Sequence, residues 1–244
     1  MRWTALLALT FWPLAAPLAQ AGAWLREDGA GMLAFSQEIA GSGANYSSVY
    51  AEYGLNARMT LGLDAGKGEA AEDWKAVVFL RMGREFEWLP GRVAAELGLG
   101  AAGAAEGGAE GDAEGGAEGV LQSGLSWGNS FQTGLGWAWV NLDAKGIFHL
   151  AAASETAPPS VAGLPMALTE GYKLDLTLGL NLSERMQVSL EMRFEDPAEG
   201  ADSLRLVPAI ARRVGRRGWI SLGAIVGLDG SSASGLVLGS RVEF

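Results

Sequence analysis

The sequence predicts an all-β fold: a transmembrane antiparallel up-and-down β-barrel of about twelve strands, following a cleaved signal peptide. Three observations carry this. The chain of 244 residues opens on a secretory leader, its remainder divides into about twelve segments of period-2 alternation, and it ends on an aromatic, Phe244. A length of this order suits one barrel domain. Strict alternation of apolar with polar or small residues is the mark of a strand facing lipid on one side and water on the other.

The leader comes first. Met1-Arg2 is a short positive region, Trp3 to Leu18 is apolar with prolines only at Pro13 and Pro17, and Ala19-Gln20-Ala21 is an A-x-A cleavage site. This reads as a signal peptide over 1–21, with Ala21-Gly22-Ala23 as a second cleavage site that would place the boundary as late as 23. The barrel then occupies 22–244.

The first strand is untidy, from Met32 to Ile39. Ser47 to Tyr53 alternates cleanly, with Val49, Ala51 and Tyr53 against Ser48, Tyr50 and Glu52. Met59 to Gly66 turns Met59, Leu61, Leu63 and Ala65 outward and Thr60, Gly62, Asp64 and Gly66 inward. Trp74 to Met82 and Val93 to Leu99 follow, with Lys75, Arg81 and Glu96 on the inner face. The segment 101–119 is low-complexity Gly, Ala and acid without large apolar side chains, so it is expected to be a solvated extracellular loop. Val120 to Trp127 is the sixth strand. Gly134 to Lys145 is the seventh, with Trp137, Trp139, Asn141, Asp143 and Lys145 inward and a second long loop after it at 150–170.

The alternation is cleanest from Tyr172 onward: Leu174, Leu176, Leu178, Leu180 and Leu182 interleave with Lys173, Asp175, Thr177, Gly179 and Asn181. Met186 to Glu195 places Glu191 and Arg193 inside. Ser203 to Val214, Trp219 to Leu228 and Gly235 to Phe244 complete the set. An even strand number puts both chain ends at the periplasmic side, with short connections there and the long ones at 101–119 and 150–170 outside. Tryptophan and tyrosine near strand ends, namely Trp74, Trp88, Trp127, Tyr172 and Trp219, are expected in the interfacial girdles.

Composition narrows function. With 18 basic against 28 acidic residues the net charge is −10, and losing Arg2 with the leader makes the balance more negative, which argues against nucleic acid as a partner. One histidine and no cysteine give no basis for a transition-metal site. The formal GxGxxG match at Gly98–Gly103 lacks the helix and the acidic residue that a dinucleotide fold requires, so no cofactor is expected. His149 is the one residue on which an outer-membrane lipid-modifying activity could rest, by activating a serine; no motif surrounds it, and it reads better as a rim residue. No catalytic residues are assigned.

The inner face supplies the candidate lumen lining: Glu52, Asp64, Lys75, Arg81, Glu96, Trp137, Trp139, Asp143, Lys173, Asp175, Glu191, Arg193, Arg205 and Arg241. The two signs are balanced, which suits a lining that pairs with itself across the lumen as well as it suits a translocation path. Two inward tryptophans are an obstruction or a platform for a flat ligand. At the end of the chain Phe244, Val242 and Leu238 form the expected assembly signal, read by the barrel-assembly machinery. The implied partners are outer-membrane lipid, that machinery and a small-molecule solute. The two functional readings are a channel or transporter for small molecules and a closed barrel with a structural or surface-interaction role.

Ala23-Trp24, the run Tyr50-Ala-Glu-Tyr-Gly-Leu55 followed by Arg58-Met-Thr-Leu-Gly62, and the closing Phe resemble proteobacterial outer-membrane proteins linked to the meta-pathway of phenol degradation. The resemblance covers most of the mature chain and implies an outer-membrane barrel passing small hydrophobic or aromatic compounds. The Gly-Ala-Glu stretch at 101–119 departs from that group, and no functional residues carry over.

Overall fold

The structure, a computed structural model, describes residues 22–69, 73–104, 117–152, 166–197, 200–229 and 234–244. The expected signal peptide lies outside the described residues, as does the middle of the acidic Gly/Ala loop, 105–116.

Twelve strands close into one antiparallel barrel, each paired with its sequence neighbours and the last with the first. They are β1 (Gly31–Ala40), β2 (Tyr46–Asn56), β3 (Met59–Gly68), β4 (Asp73–Phe86), β5 (Leu89–Ala104), β6 (Glu118–Thr133), β7 (Gly136–Ala152), β8 (Met166–Ser183), β9 (Met186–Asp196), β10 (Ser203–Val214), β11 (Gly218–Gly227) and β12 (Gly235–Glu243). Connections at the end holding β1's start and β12's finish are tight: 57–58, 87–88, 134–135, 184–185 and 215–217. Those at the opposite end include the long 105–117 and 153–165, so the first end is periplasmic and the second extracellular by the usual asymmetry of such barrels.

Several strands run further than alternation indicates. β5 continues through Ala101–Ala104 and β6 begins at Glu118, so the ends of the 101–119 stretch belong to the wall. The same holds for β7 and β8 on either side of 153–165. Small residues carry no periodic signal, but their backbones still pair, Ala76 with Ala101 and Lys75 with Ala102, because an unpaired strand edge at membrane depth would leave polar groups unsatisfied.

The outer surface is the expected apolar belt. Leu33, Leu61, Val78, Leu97, Leu125, Leu178, Leu222 and Leu238 are all exposed, as are Val242 and Phe244. In a closed barrel such residues can only face lipid. The alternate residues are buried: Glu52, Thr60, Val77, Phe79, Arg81, Glu96, Gln122, Trp139 and Asn141. Trp219 corrects the expected girdle. Its strand neighbours Ile220 and Leu222 point to lipid, and Trp219 is therefore inside and buried, with the Arg241 guanidinium over its ring at 5.0 Å. Nearness to a strand end does not decide which side a tryptophan faces; parity does.

Inner-face glycines let the bulky inward rings fit. A Cβ on Gly62 would stand 2.0 Å from the Phe79 ring, and one on Gly179 would stand 2.1 Å from the Trp139 ring. A narrow barrel with aromatics inside needs such gaps on the facing strand.

The seam between β1 and β12 is in register from Met32 opposite Glu243 to Ala40 opposite Gly235. It finishes in a reciprocal backbone pair, Gly31 N–H to Phe244 C=O at 2.7 Å and Phe244 N–H to Gly31 C=O at 2.9 Å. Deleting Phe244 removes that pair. The truncated chain is expected to accumulate unfolded in the periplasm, which the loss of the fast-migrating, heat-modifiable band on gels of outer-membrane fractions would show; wild-type levels of that band would contradict this role for the residue.

Candidate functional site

The lumen is divided into two levels. The residues before β1 do not lie outside the barrel. Gly22 to Ala30 cross the inside of its periplasmic half, and Ala23 and Leu25 are fully buried there. The Gly22 amide donates to Asp143 on β7 at 3.4 Å and the Ala23 amide to the Asn141 side chain at 3.3 Å. On the opposite wall the Arg26 amide donates to Thr60 Oγ1 at 3.0 Å, and its guanidinium pairs with Glu52 at 2.6 Å. The Gly29 amide then joins the Gly54 carbonyl at 3.0 Å, which leads the chain into β1.

Arg81 is the centre of this level. It meets Glu52 of β2 and Glu96 of β5, each at 2.5 Å, and accepts nothing; its remaining nitrogen donates to the Tyr50 hydroxyl oxygen at 2.9 Å. Tyr50 in turn donates to Glu52 at 2.7 Å. Glu96 accepts from Gln122 of β6 at 2.6 Å and lies 3.6 Å from Lys145 of β7. Phe79 roofs the group, with Tyr50 tilted against it at 5.7 Å and Arg81 over its face at 4.9 Å. The side chains of Arg81, Glu52 and Glu96 are each 3% exposed. Charges this far from water persist only when they are paired and their other hydrogen-bonding atoms are satisfied.

The extracellular level is also ion-paired, but wetter. Asp64 and Lys75 join at 2.8 Å. Glu38 of β1 reaches Arg193 of β9 at 2.6 Å and Arg205 of β10 at 3.5 Å. Because β11 and β12 lie between these strands in the wall, the bonds cross the lumen. Arg193 also holds Glu191 at 2.8 Å, and Glu195 bridges Lys173 at 2.7 Å and Arg205 at 2.6 Å. The side chains here are 17–32% exposed, so the upper lumen admits water where the lower does not.

The candidate lining residues thus fall into separate groups. Glu52, Arg81 and Glu96 share the buried network. Lys173, Glu191, Arg193 and Arg205 share the upper one, and Asp64 and Lys75 form their own pair. Asp175 faces Asp143 across the β7–β8 ladder and Arg193 across β8–β9. Trp139 is buried in the wall's inner layer, while Trp137 is 40% exposed near the periplasmic rim, so the two do not form one platform. Arg241 lies low on β12, 3.2 Å from Glu243. His149 meets Glu118 across the β6–β7 pair, and no serine is among its partners within the described residues. A hollow of about 520 Å³ bounded by Trp24, Phe86, Trp88, Leu89, Arg92 and Asn129 lies at the β4–β5 turn, on the periplasmic rim.

Three solved structures share this architecture. The KdgM porin superposes with a TM-score of 0.58 at 8% identity, over 87% of this chain and 99% of its own. An outer-membrane channel from Pseudomonas putida F1 gives 0.53 at 10% identity, over 93% and 100%. The NanC porin gives 0.50 at 10% identity, over 88% and 98%. The fold is that of an outer-membrane porin-type barrel. No protein-family model matches the chain, and the comparison with curated protein sequences returns no match.

Sequence reasoning missed Arg26, Asn141, Gln122 and Ser126 as members of the site. Parity already places the last three inside; Arg26 precedes the first strand, where no period marks it. Truncating Arg81 to Ala is expected to destabilise the folded barrel by about 3–5 kcal/mol, because two buried carboxylates lose their cation. Urea unfolding of protein refolded into lysolipid micelles would measure it; a cost below about 1 kcal/mol, the range of exposed pairs, would contradict the buried network.

Proposed function

We propose that this protein is an outer-membrane channel for small molecules, closed in its periplasmic half by its own N-terminal segment. One observation carries the proposal: a part-hydrated, charge-lined upper lumen leads down to a sealed level that is crossed by residues 22–30 rather than filled by the wall alone. A segment held by side-chain contacts can be displaced without breaking the barrel ladder, whereas strands cannot.

The charge pattern supports a solute without strong net charge. Lys75, Lys173, Arg193 and Arg205 each have a carboxylate partner, so the lining offers no uncompensated ring of one sign to select an ion. The resemblance to the phenol-degradation group supports small hydrophobic or aromatic compounds as the cargo, and the inward Tyr50, Phe79 and Trp139 suit such rings. A closed barrel with a structural role is the second reading, favoured by the Arg81 network alone.

Planar-bilayer recording separates them. Refolded wild-type protein is expected to rest closed with brief openings, and a variant lacking residues 22–28 to show steady conductance several-fold larger. A folded deletion variant with no conductance and no solute flux into liposomes would leave the closed barrel standing and overturn the channel.

A further inference from the structure

The Asp143 carboxylate is the unusual acid of the lumen. Glu38, Glu52, Asp64, Glu96, Glu191 and Glu195 each have an arginine or lysine within ion-pair distance, but among the described residues Asp143 has none. Its acceptor positions are taken by Ser126 Oγ at 2.5 Å, the Asn141 side-chain amide and the Gly22 nitrogen at 3.4 Å. Directly opposite in the β7–β8 ladder stands another carboxylate, Asp175, and like charges in that position disfavour the pair. The site lacks a positive charge.

The leader supplies one. Hydrolysis after Ala19-Gln20-Ala21 adds water across the Ala21–Gly22 peptide bond, leaving a carboxylate on Ala21 and an amine on Gly22 that is protonated at neutral pH. We infer that Asp143, with Ser126 and Asn141, forms a binding site for the new α-ammonium group of Gly22, so that export processing produces the charge that anchors the N-terminal segment inside the lumen. Glycine is demanded here by space: a Cβ at position 22 would fall 1.9 Å from Asp143 Oδ1 and 2.5 Å from Ser126 Oγ. Cleavage at the alternative site after Ala23 would discard both residues that reach β7, namely Gly22 to Asp143 and Ala23 to Asn141.

This inference goes beyond the channel reading and does not rest on it, since it concerns where the chain is cut and what its first nitrogen touches. Two measurements test it on the protein purified from outer membranes. The intact mass is expected to correspond to a chain starting at Gly22; a start at Trp24 overturns the inference. The folded protein is then treated near neutral pH with an amine-acylating reagent, and labelling of the N-terminus is read by peptide mass spectrometry against urea-unfolded protein. An ammonium held by a carboxylate is a poor nucleophile, so labelling of the folded wild type is expected to be several-fold slower than of the unfolded chain, and Asp143→Asn to restore much of the rate. Should Asp143→Asn fail to fold by heat-modifiability, a refolded chain beginning one residue earlier, at Ala21, serves instead: its displaced amine is expected to label quickly. Equal rates for folded and unfolded wild type, or protection unchanged in the Asp143→Asn protein or in the extended chain, would overturn it.

Discussion

Everything in this molecule follows from the requirement that a β-sheet within a membrane have no edge. No water reaches the hydrocarbon to satisfy a free N–H or C=O, so the twelve strands must return to the first. The Gly31–Phe244 backbone pair completes that circuit. Closure fixes an inside and an outside, and the two-residue period of a strand then sends every second side chain to each. Lipid takes one set at little cost. The other set, polar and confined in a narrow tube, has to satisfy itself.

The chain meets that demand differently at two depths. In the upper lumen, arginines and carboxylates from strands far apart in the wall join across the opening and keep some water, as Glu38 does with Arg193 and Arg205. In the lower lumen water is excluded and the wall alone does not complete the packing. Thr60, Glu52, Asn141 and Asp143 accept their partners from residues 22–26, a segment that belongs to no strand. The segment and the Arg81 network are therefore one structure: Glu52 binds Arg26 with one oxygen and Arg81 with the other. Displacing the segment leaves Glu52 its second partner, so the wall retains a satisfied centre while the lumen clears.

Much of this was legible in the sequence, and what was not has a physical reason. The strand count, closure and inside or outside position of residues such as Leu174 and Lys173 are written in a local period, which needs no knowledge of the partner strand. The extent of β5 and β6 was not, because alanine and glycine at 101–104 carry no contrast between faces. The pairing of Glu38 with Arg193, 155 residues apart, depends on which strands face each other across the tube, and a period does not encode that. The inward position of Arg26 depends on a segment with no period at all; only its place, a lone cation between Leu25 and Glu27 just ahead of the first strand, hinted at an ion pair. Trp219 shows the reverse error, an aromatic judged by its distance from a strand end when its neighbours Ile220 and Leu222 had already determined its side.

The central claim is that residues 22–30 close the lumen and can leave it. The chain contains no cysteine, so a single engineered disulfide can lock the segment in place. A Cβ at Gly128 on β6 would lie 2.9 Å from the Cβ of Ala23, close enough for small adjustments to reach disulfide geometry. Solute flux into liposomes carrying the protein with Ala23→Cys and Gly128→Cys, measured oxidised and then reduced, is the most direct test. The account predicts no flux while the bond is intact and flux restored on reduction; equal flux in both states would contradict it.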